Sequence, residues 1–137
     1  MSEQNKAMVR RLFEEIWSKG DLDAIDQIYA VDAVDHNRPP GLPPGREGAK
    51  QFFRMYLAAF PDTRMAIEDQ VAEGDRVVTR WTATGTHKGE LMGIPPTGKQ
   101  VRVSGIEIDR LQDGKIIESW SSFDQLGMMQ QIGAIPS

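Results

Sequence analysis

The sequence predicts an α+β fold, with helices packed on one face of a curved, mostly antiparallel sheet. Apolar side chains recur at helical spacing over residues 1–60 and then at strand spacing, and Asp113-Gly114 separates two strand-like runs as a tight hairpin turn. Helices gathered ahead of a run of strands pack as a layer on the sheet. A sheet curved and closed by the N-terminal helices makes a cone, and a cone encloses a cavity suited to a small ligand. The 137 residues suffice for a single domain, 1–137, with its own core.

Residues 3–18 read as a helix whose face carries Val9, Leu12, Phe13, Ile16 and Trp17, leaving Arg10, Arg11, Glu14 and Glu15 outside. Gly20 stops it, and Asp21 caps a short second helix with Leu22, Ile25, Ile28 and Tyr29. A short strand follows at 31–37. Residues 38–48, RPPGLPPGREG, hold four prolines and three glycines and are expected to form no regular element. A third helix aligns Ala49, Phe52, Phe53, Tyr56, Leu57 and Phe60 on one face. Strands are predicted at 64–73, 76–87, 100–111 and 115–124, and a last short helix in QLGMMQQIGAI. Phe13, Trp17, Phe53 and Leu57 are expected to be largely buried.

Composition narrows the function. Apolar residues at 39% and charged residues at 26% are the mix of a globular chain that builds a core. A net charge of -4 argues against non-specific nucleic-acid binding, which needs a basic face. With no cysteine, disulfides, thiolate metal sites and thiol nucleophiles are excluded. No run of about 18 apolar residues occurs, so no membrane span is expected. The N-terminus lacks the apolar core of a signal peptide, and a cytoplasmic protein is expected.

Four stretches carry a family likeness: LFEEIWSKGDLDAIDQIYA, FPDTRMAIEDQVAEGDRVVTRWTATGTHKGELMGIPPTGK, GIEIDRLQDGKIIESW and DQLGMMQQIGA. Through them the chain resembles the SnoaL-like polyketide cyclases, or ester cyclases, of the NTF2-like superfamily. The resemblance implies an α+β cone, a homodimer and a small hydrophobic ligand. It also implies intramolecular aldol closure of a polyketide ester without metal or cofactor, with an Asp as acid/base and a His nearby. Some members carry an acidic group just after the position of Trp120; here that residue is Ser121.

Aldol closure needs a base for a proton α to a carbonyl and a donor for the developing oxyanion. A two-residue Asp113-Gly114 turn would pair Leu111 with Ile116, Asp109 with Glu118 and Glu107 with Trp120. Glu107, Glu118, Trp120 and Asp124 would then share one face, and burial beside the indole would raise a carboxyl pKa. In the alternative that face is solvated, and Ile106, Ile108, Ile117 and Phe123 face the core. Asp124 is the first candidate for the acid/base, with Glu107 beside it; Asp124 also suits the N-cap of the helix at Gln125, and both roles can coexist.

His87 ends the second of the long strands, on the face of Trp81, where it either polarises a carbonyl or fixes the loop that follows. His36 could line the opposite side of the mouth. Trp81, Trp120, Met92 and Ile94 would supply apolar contact to a ligand, the last two from just before and within the constrained GIPPTGK turn, unless those two pack on the last helix or a second copy. Arg80 either holds a substrate carboxylate or lies exposed. The two histidines show no HxH or HExxH spacing, so no metal site is expected. The leading reading is a cofactor-free cyclase. Competing readings are another acid/base enzyme on the same cone, such as an isomerase, dehydratase or epoxide hydrolase, and a non-catalytic, dimeric ligand-binding protein.

Overall fold

Helix α1, Ser2–Arg11, forms as its spacing predicts, then widens into a π-helical segment over Leu12–Ser18. The computed structural model describes residues 2–136. Val9, Leu12, Phe13 and Ile16 are fully buried, while Trp17 is half-buried. Gly20, at φ 71°, ends the segment in a conformation that favours glycine. The Asp21 carboxylate accepts the Asp23 N–H at 3.2 Å and starts a 3₁₀ turn, Leu22–Ala24, that runs through α2, Ile25–Ile28, into strand β1, Tyr29–Asp35.

Helix α3 spans Gly45–Ala59 and so begins inside the stretch expected to be irregular. The prolines end at Pro44, which serves as N-cap; a residue there has no helical N–H bond to lose. Strands β2, Arg64–Glu73, β3, Arg76–Thr86, β4, Gln100–Gln112, and β5, Lys115–Phe123, precede α4, Gln125–Gln131. The five strands form one unclosed, mixed sheet in the order β1-β5-β4-β3-β2, with β1 parallel to β5 and the other pairs antiparallel. Helix α1 and the π-helical segment pack on β2, and α3 packs against β1. The architecture is the expected α+β one.

The β4–β5 register differs from the simple hairpin. Asp113 at φ 53° and Gly114 at φ 78° make the tight turn, and Leu111 pairs with Ile116 as expected. Arg110 then pairs with Glu118, so Ile117 is an extra residue on β5. A bulge of this kind shifts every later pair by one. Asp109 therefore faces Ser119 and Glu107 faces Ser121, not Trp120. The alternation of β4 holds, with Glu107 and Asp109 inward, but that of β5 is inverted beyond the bulge. Phe123 joins the inner face; Glu118 and Trp120 lie outside.

That outer face carries a cross-strand row of Val71, Val78, Ile108 and Trp120. Val71 and Ile106 are exposed there, and Arg80 is paired with Asp69 at 2.8 Å. No helix among the described residues is long and apolar enough to cross a membrane.

Candidate functional site

The concave face of the sheet and helix α3 enclose a cavity of about 580 Å³. Phe52, Phe53, Tyr56 and Phe60 of α3 line one wall. Trp81 and Ala83 of β3, Val101 and Val103 of β4 and Phe123 of β5 line the other. Trp17 packs edge-on against Phe53, with ring centroids 4.6 Å apart. Polar groups line part of this bowl: Tyr29 and Asp35 of β1, Asn37 and Arg38 of the following loop, Glu107 of β4, and Ser119 and Ser121 of β5, with Thr63, Thr84, Ser122 and Gln125 elsewhere on the lining. Asn37 pins the loop by accepting the Ser121 N–H at 2.7 Å through its Oδ1, and the Asp35 carboxylate accepts the Asn37 N–H at 2.9 Å.

Glu107 and Asp109 form the chemical centre of that sector. They stand two residues apart on β4 and so share its inner face. Asp109 is fully buried behind the wall; Glu107 is partly accessible, to the cavity. Neither oxygen of Asp109 has a hydrogen-bond donor, nor does Oε2 of Glu107. A single proton shared by the two carboxyls satisfies this geometry, with protonated Asp109 donating to the Glu107 carboxylate. Burial pushes the Glu107 carboxyl up to about 7, opposed by the Asp109 hydrogen bond. Burial, and then the charge of Glu107, hold Asp109 well above the usual carboxylate range. Tyr29 is also raised, first by burial and then by the charges of Glu107, Asp109 and Asp35. Two carboxyls that split their titration in this way hold one proton between them near neutral pH.

The expected convergence of Asp124, His87, Glu107 and Trp120 does not form. Glu107 reaches the cavity, as do Trp81 and Met92. Asp124 is exposed and caps α4, accepting the Gly127 N–H at 2.9 Å. His87 is fully buried outside the cavity lining. Its Nδ1 accepts the Thr97 N–H at 3.3 Å and contacts the Thr97 hydroxyl at 3.1 Å, so it ties down the 88–98 loop. His36 and Trp120 lie on the outer face, stacked at 5.0 Å, with His36 Nε2 2.6 Å from Glu118. The bulge at Ile117 puts Trp120 outside, and alternation after the inward Asp35 puts His36 beside it. Ile94 turns back to pair with Leu91 and also leaves the cavity.

Asp109, Tyr29 and Arg38 were not singled out from sequence. The IEID alternation at 106–109 did hold a signal for Asp109, since two carboxyls at strand spacing must face the same way. It was masked by the isoleucines, which alternate equally well. Among the described residues no three His, Asp or Glu side chains group as a metal site.

The SnoaL-like polyketide cyclase family matches residues 7–132. The chain belongs to the SnoaL-like polyketide cyclase family. Aklanonic acid methyl ester cyclase of Streptomyces peucetius is 27% identical to it over 132 residues, covering 92% of this chain and 88% of that protein. Among solved structures, a candidate SnoaL-like cyclase from Jannaschia sp. CCS1 is 31% identical with a TM-score of 0.86, covering 98% of this chain and 95% of that one. IdmH of Streptomyces antibioticus, a candidate polyketide cyclase, is 36% identical with a TM-score of 0.81, covering 95% and 99% of the two chains. In this SnoaL-like chain the position after Trp120 is Ser121, and the carboxyl that faces it across the β4–β5 pair is Glu107.

Proposed function

We propose that this protein is a cofactor-independent cyclase that closes a small, largely apolar carbonyl compound by intramolecular aldol addition, with Glu107 as its acid/base. The Glu107–Asp109 pair at the edge of an aromatic cavity carries the reading. The Glu107 carboxylate takes a proton α to a carbonyl, and the electron pair of that C–H bond moves onto the carbonyl oxygen as an enolate. The α carbon then attacks a second carbonyl of the same molecule. A C–C bond forms, the π pair moves to the acceptor oxygen, and that oxygen takes back the proton from Glu107. Asp109 sets the proton affinity of Glu107 from behind. Tyr29, Ser119 and Ser121 are hydroxyl donors among the lining residues for a developing oxyanion. The apolar walls hold the folded substrate and keep bulk water from the enolate.

The test is proton abstraction itself. Incorporation of solvent deuterium at the α carbon of methyl benzoylacetate, followed by NMR above the buffer background, is expected to accelerate with enzyme. A base acts only when deprotonated, so the enzymic rate should climb to a plateau as pH rises through about 7 and fall below it. No enzymic exchange at any pH would remove Glu107 as the base.

The protein is further proposed to act as a homodimer, built through the outer sheet face. The row from Val71 to Trp120 is an apolar stripe on the outer face, exposed at Val71 and met by His36 and Arg76 at Trp120. Sedimentation is expected to show twice the 15.3 kDa chain mass at micromolar concentration. A species of single-chain mass would count against it.

A further inference from the structure

We infer that Asp35 is a positioning residue for the reaction: a carboxylate on the cavity wall that strengthens Glu107 as a base. The inference rests on reading Glu107 as the acid/base.

The register of three strands places Asp35. It ends β1, where it pairs with Ser119 of β5, and Ser119 pairs in turn with Asp109 of β4. Residues paired in this way point to the same side of a sheet. Asp35, Ser119 and Asp109 therefore form one row on the concave face, with Glu107 two residues along β4 on that same face. Two strand spacings, about 10 Å between backbones, separate Asp35 from Asp109. Ser119, a small side chain, lies between them in the row. Asp35 and Glu107 both line the cavity.

Nothing in the chain neutralises the Asp35 carboxylate. One of its oxygens accepts the Asn37 N–H at 2.9 Å, which holds the side chain in place. No ion pair among the described residues includes it. Arg38 is the only cation among the lining residues, and its Nη1 is bound to the carbonyls of Pro43 and Gly45 instead. The other titratable groups on this side of the sheet are Tyr29 of β1, Glu107 and Asp109 of β4, and Tyr56 of α3. From β5 the lining holds only serines and Phe123, which add no charge.

A carboxylate fixed in that setting opposes a second negative charge nearby, and a low-dielectric interior screens it weakly. Burial is the main reason that the Glu107 and Asp109 carboxyls hold a proton, and the charge of Asp35 acts on both in the same direction. A tighter hold on the proton makes Glu107 a stronger base once it is ionised. Removing the charge of Asp35 therefore lets Glu107 ionise at lower pH and leaves it a weaker base.

The experiment follows the Glu107 side-chain carboxyl of the full chain by carbon NMR against pH, its signal assigned by its absence from Glu107→Gln. The wild-type midpoint is expected at about 7. Asp35→Asn keeps an acceptor for the Asn37 N–H and removes the charge; it should lower the midpoint by about half a pH unit to one pH unit. Asp35→Glu, which keeps the charge, should stay close to wild type. The pH profile of deuterium exchange into methyl benzoylacetate should move by the same amount, with a lower plateau in Asp35→Asn. An unmoved midpoint in Asp35→Asn would overturn the inference. So would a loss of rate with no movement of the profile, which would make Asp35 a substrate contact. A moved midpoint with no enzymic exchange in the wild type would instead overturn Glu107 as the base and leave the link between the two carboxyls standing. Asp35→Ser removes the same charge and decides the matter where Asp35→Asn fails to fold.

Discussion

Glu107→Gln is expected to abolish turnover and at the same time to raise the melting temperature. The amide keeps the shape of the side chain and can still accept a hydrogen bond from Asp109, but it cannot take a proton. Loss of a positioned general base costs about 10²–10⁴-fold in rate. Ligand affinity should hold, because the apolar walls are untouched.

The stability gain follows from the sign of the shift. In the folded protein the carboxyl is raised from 4.5 to about 7, so between those values the fold holds a proton that the unfolded chain has lost. The stabilising contribution is complete below the unfolded value and disappears as pH rises through about 7, leaving a buried charge in the folded state. At 1.36 kcal/mol per pKa unit this is at most about 3 kcal/mol, and about 2 kcal/mol for a group that faces a cavity. Glutamine avoids the ionisation. At pH 8 the variant should melt higher by about 5–10 °C, and the gap should close towards pH 5. Differential scanning calorimetry at the two pH values reads this directly. A variant less stable than wild type at pH 8 would mean that the wild-type carboxylate is held by donors, and the shared-proton account would fail.

Gly105→Ala is expected to damage the cavity by displacing the rings that line it. A Cβ there would lie 2.4 Å from Cζ2 of Trp81, 2.8 Å from Cβ of Phe123 and 2.8 Å from the Ser122 carbonyl oxygen. Gly105 faces Trp81 on one neighbouring strand and Phe123 on the other, so the absent side chain lets both rings close over it. The carbonyl cannot retreat without breaking the β4–β5 ladder, and the indole must swing into the ligand space. Overpacking of this kind costs about 1–3 kcal/mol. A melting temperature lower by several degrees, a shifted tryptophan emission and loss of affinity for methyl benzoylacetate are expected together. Wild-type affinity and emission would show that Trp81 does not form the wall as placed.

The residues themselves determined the type and order of the elements. Helical spacing in residues 3–18 and the aromatic face of α3 are local patterns, and each segment buried the side they marked. Asp113-Gly114 formed its turn because both residues tolerate positive φ. The alternation of β4 also put Glu107 inside, since a strand turns successive side chains to opposite faces.

The site beyond Glu107 needed the tertiary structure. One extra residue, Ile117, inverted the rest of β5, exchanging Trp120 for Ser121 opposite Glu107. Such a bulge is set by how the strand packs on its neighbours, and it leaves no mark in alternation. Tyr29 and Arg38 line the same cavity as Glu107 only because β1 pairs with β5, past the intervening α3, β2, β3 and β4. His87 and Asp124 carry side chains apt for catalysis, but a hydrogen bond to Thr97 and a helix cap draw them away. The proton affinity of Glu107 was legible nowhere in its sequence neighbourhood, because it comes from burial and from a second carboxyl, and both are properties of the folded interior.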